Sequence, residues 1–188
     1  GKPRLFFAVS SGMDSMVNHY TANKRLRHDD AFTPGAKSGF RPDYAVYVYT
    51  QILKKLFPET PVIIGGLESS LRRISHYDYW QNKIKPSILF DTNADLLVYG
   101  MGEKPLKEII RLIKKGVPIK NMNSIPQTAY LTPKENVPKN KLWEDLQLSD
   151  FEECAKDKQI QFKNFRLFEI ETNKMHSKRI IQNVYDKS

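Results

Sequence analysis

Short apolar runs closed by small residues recur along the chain and predict buried β-strands. Residues 5–9, 62–64 and 96–99 are such runs, and each is followed by serine or glycine. Runs this short, rich in branched or aromatic residues and ended by a turn signal, are typical of strands covered on both faces of a parallel sheet.

Apolar residues at helical spacing separate these runs. The pattern predicts helices over residues 13–24, 43–57 and 104–115, and another that starts at Glu68 and continues to about residue 78. Alternating strands and helices call for parallel strands joined by right-handed crossovers. We therefore predict an α/β fold in which the three strands lie side by side and run in the same direction.

Residues 119–188 differ in character from residues 1–118, which we predict to be the α/β core. Before this point, residues 84–90 form a weaker run whose Pro86 suits only a sheet edge or the start of a strand. Beyond it, residues 125–131 contain Pro126 and are predicted to be an edge strand.

The remainder is a basic, proline-containing connection over residues 132–141 and a long helical pattern over residues 151–168, which Ser149 is expected to cap. We expect a helical carboxy-terminal extension that packs on the core or leads into further chain. The polar, basic residues 173–188 look like a segment that continues.

Composition fits an ordinary soluble domain, with 188 residues, 40% of them hydrophobic and 27% charged. No apolar run approaches the ~20 residues of a membrane span and no signal peptide precedes the first strand, so we expect no membrane partner and a cytoplasmic location. The single cysteine, Cys154, excludes a disulfide framework within the chain.

The net charge of +9 favours a polyanionic partner such as RNA, or a phosphorylated cofactor. The lysines are spread through residues 104–120, 134–141 and 174–187 and do not form one cluster. Such spacing favours a solvated basic surface over a dedicated nucleic-acid face.

Three turns are predicted to share one edge of the sheet, because the carboxyl ends of parallel strands meet there and open α/β sheets bind ligands at that edge. Glycines let a ligand approach the backbone, and helix starts offer N–H groups. Glu68 and Glu103 would repel a phosphate, so a ribose, an amine or a neutral partner suits the edge better. The alternative is that the glycines only allow close packing of strand and helix. The candidate ligand- or partner-binding residues in these turns and in the segment after the second turn are Ser10, Gly12, Asp14, Ser15, Gly65, Gly66, Glu68, Arg72, Arg73, His76, Tyr77, Gly100, Gly102 and Glu103.

Residues 72–80 place two guanidinium groups, an imidazole, a carboxylate and three aromatic rings in nine positions. This cluster could stack on and clamp a base or a cofactor ring. It could equally consist of core aromatics and a local network of ion pairs.

Other signals for chemistry are weak. His19 and His28, with Asp29 and Asp30, lack the spacing of metal ligands, so no metal site is expected there. The turns match neither a Walker A loop nor G-x-G-x-x-G, and the chain has no G-x-S-x-G elbow. We predict no catalytic residue, and a buried Cys154.

Several long segments together resemble one family. These segments are PRLFFAVSSGMDSMVNHYTANK, RHDDAFTPGAKSGFRPDYAVYVYT, PVIIGGLESSLRRISHYDYWQNKIKPSILFDTNADLLVYGMGEKPLKEI and SDFEECAKDKQIQFKNFRLFEIETN. They are similar to the amino-terminal region of the YgiQ-type radical-SAM proteins of bacteria, a family of Fe–S oxidoreductases. More distantly, GGLESS and ADLLVYGMGEKPL resemble cobalamin-binding-type domains, although the D-x-H-x-x-G pattern is absent.

The resemblance implies a three-layer, flavodoxin-like or cobalamin-binding-like parallel sheet that lacks its first βαβ unit. It also implies that a [4Fe–4S] cluster and S-adenosylmethionine belong to the full-length protein, while this chain holds no cofactor because the C-x-x-x-C-x-x-C segment is absent. The expected function is that of a non-catalytic accessory domain that helps to form the substrate pocket beside the downstream radical-SAM barrel. An RNA-recognition module, such as one for tRNA, and a purely structural or dimerising domain are the alternatives.

The absent first unit has a physical consequence for the first strand. In the flavodoxin-like order the strand over residues 5–9 would lie at an unpaired edge of the sheet, where another strand normally pairs. We expect that edge to be exposed, covered by a rearranged segment, or paired with a second copy in a homodimer.

Overall fold

A four-stranded sheet forms the centre of the protein. The computed structural model describes residues 1–139 and 143–188. The strands, in spatial order, are β1 (Phe7–Ser11), β2 (Val62–Gly65), β5 (Leu96–Val98) and β6 (Thr128–Ala129). β1, β2 and β5 are parallel, with Ala8 opposite Ile63 and Ile63 opposite Leu96, whereas β6 runs antiparallel to β5. The predicted α/β fold and the common direction of its three main strands are confirmed.

β1 lies at one edge of the sheet, as the sequence predicted. Phe7 and Val9 pack into the core on one face, whereas Ala8 and Ser10 are exposed. β6 lies at the opposite edge, in agreement with the prediction from the proline in residues 125–131. The face of β1 that carries Ala8 and Ser10 is therefore exposed.

Helices cover both faces of the sheet. α2 (Ala45–Leu56) and α4 (Ile88–Thr92) lie on one face, and α5 (Glu103–Lys114) lies on the other. Alternation along the strands explains the division, because successive side chains of a strand point to opposite faces. The first face buries Val46, Val62, Ile64, Leu89 and Leu97, and the second buries Ile63, Leu96, Val98 and Ile109. The helices predicted over residues 43–57 and 104–115 are confirmed.

The first predicted helix is shorter than expected. α1 covers only Ser15–His19, where the spacing predicted a helix over residues 13–24. Asp14 caps its start by accepting hydrogen bonds from two backbone N–H groups. The helix stops because the chain folds back on itself, with Tyr20 bridged to Leu26.

The helix after β2 is also shorter than predicted. α3 covers Gly66–Leu71, and the chain then forms a hairpin of β3 (His76–Asp78) and β4 (Lys83–Lys85). The prediction of a helix to about residue 78 was wrong. Ser75 supplies the reason, because its backbone N–H and its hydroxyl bind Gln182 and Gln161, each at 2.8 Å. Partners more than eighty residues away in the sequence therefore override the local spacing.

The strand predicted over residues 84–90 was wrong in its second half. Lys83–Lys85 is a strand, but α4 begins at Ile88. Ser87 directs this change, since its hydroxyl oxygen accepts a hydrogen bond from the Leu89 N–H at 3.2 Å and caps the helix.

The carboxy-terminal part contains two helices where one long pattern was predicted. α6 covers Phe151–Lys156 and α7 covers Lys158–Thr172. Asp157 separates them, because its carboxylate caps α7 by accepting from the Gln159 N–H at 2.8 Å. The residue that caps α6 is Asp150, where the sequence had suggested Ser149.

A parallel strand pair, β7 (Asp145–Gln147) and β8 (Arg179–Ile181), flanks these two helices and was not predicted. β8 lies in the polar residues 173–188, which had looked like a segment that continues. Of the predicted basic connection over residues 132–141, the last two residues lie outside the described part of the chain.

The proposed division after residue 118 stays a prediction. Ile119, Met122 and Ile125 pack in the same cluster as Leu96 and Ile109, so side chains from both sides of that point share one hydrophobic core. Among the described residues, no helix has both the length and the apolar character that crossing a bilayer requires.

Candidate functional site

The turns after β1, β2 and β5 lie together at the carboxyl ends of the strands, because the three strands are parallel. We call this end of the sheet its carboxyl edge, as distinct from the side edges at β1 and β6. This edge is where the sequence placed the candidate site. α1, α3 and α5 each begin just after one of these turns. Their side chains, and those of the β3–β4 hairpin, determine what the edge can bind.

A buried carboxylate joins two helix starts at this edge. Glu68 is fully buried, and its two oxygens accept hydrogen bonds from the Ser15 N–H at 2.9 Å and the Val46 N–H at 3.2 Å. The Ser15 hydroxyl oxygen in turn accepts from the Ala45 N–H at 3.0 Å. Free N–H groups at helix starts favour a negative charge, so Glu68 occupies the position that an anionic ligand would otherwise take.

An ion pair continues the cluster from α1 to α3. The second oxygen of Asp14 lies 2.5 Å from the Arg72 guanidinium, which also faces the Tyr44 ring at 5.7 Å. The Tyr44 hydroxyl donates to Asp78 at 2.7 Å, and burial together with this bond raises the pKa of Tyr44. Asp14, Ser15, Glu68 and Arg72, four of the candidate residues, are therefore linked directly or through one helix start.

His76 contributes a free hydrogen-bond acceptor. Its Nδ1 lies 3.2 Å from the Ile74 carbonyl oxygen, which can only accept, so Nδ1 carries the proton. Its Nε2 is buried and has no hydrogen-bond partner among the described residues. Burial lowers the pKa of His76 to about 4, with further lowering by Arg72 and Lys85. The imidazole is thus neutral near pH 7 and offers the Nε2 lone pair.

Of these side chains, Tyr44, Glu68, Arg72 and His76 line a cavity of about 220 Å³. Its cations are neutralised within the chain, since Arg72 pairs with Asp14 and Lys85 lies 3.4 Å from Asp91. Burial raises the pKa of Asp91. A cavity with balanced charges and a neutral imidazole suits a small ligand that donates a hydrogen bond, and it is poorly suited to a phosphate.

The glycines of the turns are in contact with the chain itself. Gly66 has a φ of +78°, and a Cβ atom there would overlap the Ser11 carbonyl oxygen. A Cβ at Gly65 would lie 3.1 Å from the Val98 carbonyl oxygen, and one at Gly100 would lie 2.9 Å from the Gln127 side chain. These contacts support the alternative interpretation, in which the glycines allow close packing of strand and helix.

The remaining candidate residues lie apart from the cavity. Arg73 points away from Arg72 and lines a second cavity, and the exposed Tyr77 donates from its hydroxyl to Asn82 at 2.7 Å. Ser10 and Gly12 are exposed, as is Glu103, which follows Gly102 at the start of α5.

Sequence reasoning missed six of the residues that line the cavity, which are Tyr44, Tyr47, Gln81, Lys85, Ile88 and Asp91. Asp78 does not line it but accepts the hydrogen bond of the Tyr44 hydroxyl. Asp78 belonged to the polar and aromatic cluster over residues 72–80, which was the one available signal. Tyr44 and Asp91 come from elements that carry no local motif, so only the folded chain brings them to this edge.

His19 and Asp30 belong to a network of polar contacts that also includes Arg41 and Asp43. His19 Nδ1 lies 2.9 Å from Asp43, and the Arg41 guanidinium lies 2.7 Å from Asp30. The Arg41 hydrogen bond lowers the pKa of Asp30 to about 2. Within the described ranges, no group of three His, Cys, Asp or Glu side chains is placed to hold a metal ion.

Comparison with known proteins places the chain in a family. The family model described as "Radical SAM N-terminal" matches residues 1–188. A UPF0313 protein of Porphyromonas gingivalis is 54% identical over the whole chain, and one of Bacteroides thetaiotaomicron is 52% identical. A UPF0313 protein of Geobacter sulfurreducens is 46% identical over the same span. No solved structure matches.

The chain covers only part of these relatives. It spans 30% of the Porphyromonas protein, 32% of the Bacteroides protein and 31% of the Geobacter protein.

The resemblance inferred from the sequence segments is confirmed, because the family model matches the full chain. The chain belongs to the Radical SAM N-terminal family.

Proposed function

We propose that this chain is a non-catalytic accessory domain of a longer radical-SAM polypeptide and helps to form the substrate pocket beside the part that carries the cluster. Family membership supports the proposal, and so does the greater length of the relatives, of which the chain covers 30–32%. Neutralised charges at the carboxyl edge of the sheet support a binding or packing role over a reaction at that edge.

The residues of this chain do not fit a [4Fe–4S] cluster. Such a cluster in a radical-SAM enzyme needs several cysteine thiolates, and the chain contains only Cys154. Cys154 is fully buried, its sulfur accepts a hydrogen bond from Asn164 at 3.1 Å, and burial raises the pKa of its thiol. We therefore assign the cluster and S-adenosylmethionine to the remainder of the longer polypeptide.

The single observation that carries the proposal is that α7 buries polar side chains and exposes several large apolar ones. The helix buries Gln161, Asn164 and Glu171, while large apolar side chains are exposed on its other side, beside the charged Lys163, Arg166 and Glu169. These exposed side chains are Phe162 at 61%, Phe165 at 48%, Leu167 at 43% and Ile170 at 51%. An exposed apolar surface of this kind marks an interaction site. The occupant we propose is the remainder of the same polypeptide, which in the relatives is more than twice as long as this chain.

Hydrogen exchange tests this contact. We expect backbone amides of α7 to exchange about tenfold more slowly in the full-length polypeptide than in the 188-residue chain, because docking suppresses local opening. Lysine at both Phe162 and Ile170 in the full-length polypeptide is expected to return the rates to those of the chain. The last turn of α2 is the control, since Leu56 is also exposed but lies elsewhere, and its rates should not change. Equal rates in α7 of both proteins would remove the proposal.

The RNA alternative lacks a supporting contact at the segment that suggested it. Arg72 is paired with Asp14, and Arg73 is enclosed by two rings, so neither guanidinium is available on an open face. Trp80 packs against Tyr20 and Tyr79. RNA binding stays a prediction, and salt-dependent retention on tRNA would support it.

A further inference from the structure

The second and larger cavity lies between the sheet and the carboxy-terminal segment. Its volume is about 300 Å³, within the range of small-molecule sites. Tyr99, the residue after β5, and Thr128 of β6 contribute one side, and α7 and β8 contribute the other through Phe168 and Arg179. The lining is mainly apolar and aromatic, and it contains no acidic side chain among the described residues.

Arg73 is the one lining cation without a carboxylate partner in the described part of the chain. The other two are neutralised, because Lys178 lies 2.8 Å from Glu144 and Arg179 forms two hydrogen bonds to Asp145. The Arg73 guanidinium donates to the Ser70 carbonyl oxygen, and no acid of the described ranges lies within ion-pair distance of it. Arg73 is partly buried, so its guanidinium has lost part of its hydration, and an anion in the cavity would stabilise the charge.

Two aromatic rings fix the orientation of this guanidinium. Its central carbon lies 4.6 Å from the centre of the Tyr99 ring and 4.4 Å from the centre of the Phe168 ring. Both rings hold the guanidinium by cation–π attraction, and its other N–H groups can still donate hydrogen bonds. A planar fork of donors held between rings matches a carboxylate or a phosphate group.

We propose that this cavity binds a small organic anion, a carboxylate or a phosphate monoester with an apolar body, and that Arg73 pairs with its charged group. The site is distinct from the cavity at Arg72 and His76, where charges are already balanced. The proposal does not depend on the accessory role, since it rests only on the residues that surround Arg73.

Calorimetry on the purified chain with matched probes tests the site. We expect 3-phenylpropionate or phenyl phosphate to bind about tenfold to a hundredfold more tightly than the neutral 3-phenylpropionamide, the ratio typical of a charge-assisted hydrogen bond. Arg73→Met should abolish this preference, and Arg73→Lys should retain part of it because the charge remains without the planar fork. The two anions distinguish a carboxylate site from a phosphate site.

Two further measurements test whether the anion preference belongs to Arg73 and to this cavity. Arg166→Met removes the same charge at an exposed position of α7 and should leave binding unchanged. Trp143 lines the cavity, so in a Trp80→Phe background its fluorescence should change on addition of the anion and not of the amide. Equal binding of anion and amide, undiminished binding by Arg73→Met, an equal loss in Arg166→Met, or no binding of either anion would each overturn the proposal.

Discussion

Gly66 shows how tightly the first two strands meet at the carboxyl edge of the sheet. Its φ of +78° lies in the left-handed region, and the site of its missing side chain is taken by the backbone of Ser11. A residue with a Cβ would have to leave this conformation and separate the two chain segments. The glycine is therefore a requirement of packing, whatever else the edge binds.

Gly66→Ala is expected to lower the free energy of unfolding by about 2–5 kcal/mol, as the sum of backbone strain and overpacking. Gly35→Ala is a matched control, since Gly35 has a φ of +70° but nothing within 4 Å of its Cβ position. It should cost about 1–2 kcal/mol from strain alone. Urea titration measures both values, and equal costs would contradict the packing argument.

His76 predicts a dependence of stability on pH. Its pKa is lowered from 6.5 to about 4 in the folded chain because burial disfavours the imidazolium. Between these values the unfolded chain binds the proton and the folded chain does not. The stability that the neutral His76 contributes to the folded chain is therefore fully present above pH 6.5 and is lost as the pH falls towards 4.

His76→Gln should flatten the decline in stability between pH 6.5 and 4, because glutamine does not titrate. Urea midpoints of both proteins are measured at several pH values. The difference between the two proteins at each pH isolates His76, because all other groups titrate in both. A titration of the His76 ring by NMR provides the second measurement. A midpoint near 6.5 would show that the imidazole is solvated and that the argument fails.

At the scale of elements, local patterns predicted the strands and helices whose run or face of apolar residues is continuous. The three main strands and the helices α2 and α5 belong to this group. α3 and the β3–β4 hairpin do not, because hydrogen bonds from Ser75 to Gln161 and Gln182 decide their ends. The division of α6 from α7 also escaped the pattern, although Asp157 is an ordinary capping residue.

β1 is the terminal strand of the described sheet, and from this position we infer that it can pair with a second copy of the chain. An unprotected edge strand pairs readily with another chain, and a lysine on it is the usual protection. We expect the 188-residue chain to associate at increasing concentration and Ala8→Lys to suppress this association, as measured by light scattering. Ala155→Lys adds the same charge at an exposed position of α6 and should have no effect. A monomer at all concentrations would contradict the expectation.

At the scale of the whole molecule, the candidate site was only partly predictable. Parallel strands fixed the edge at which three turns meet, and Asp14, Ser15, Glu68 and Arg72 were found there. The sequence could not show that Arg72 and Arg73, adjacent in the chain, line different cavities. Neither could it supply Tyr99 and Phe168, which come from the residue after β5 and from α7.

The proposed accessory role predicts that iron is held by the remainder of the longer polypeptide and not by this chain. After anaerobic reconstitution with iron and sulfide, the full-length polypeptide is expected to show the absorbance of a [4Fe–4S] cluster, and the 188-residue chain is expected to show none. Cys154→Ser in the full-length polypeptide should leave the spectrum unchanged, since the buried Cys154 lies in a hydrogen-bond network with Asn164 and Ser149. A stoichiometric cluster on the chain would contradict the proposed role.

The two flanks of the central sheet differ, and this difference limits the assemblies that the chain can form. β6 is two residues long and antiparallel to its neighbour, so it offers almost no template, whereas β1 is five residues long. When only the β1 edge can add a strand, two molecules can pair only through a two-fold axis. That pairing uses the β1 edge of each molecule. Growth would then stop at a closed pair, and fibres built by repeated strand addition would not propagate.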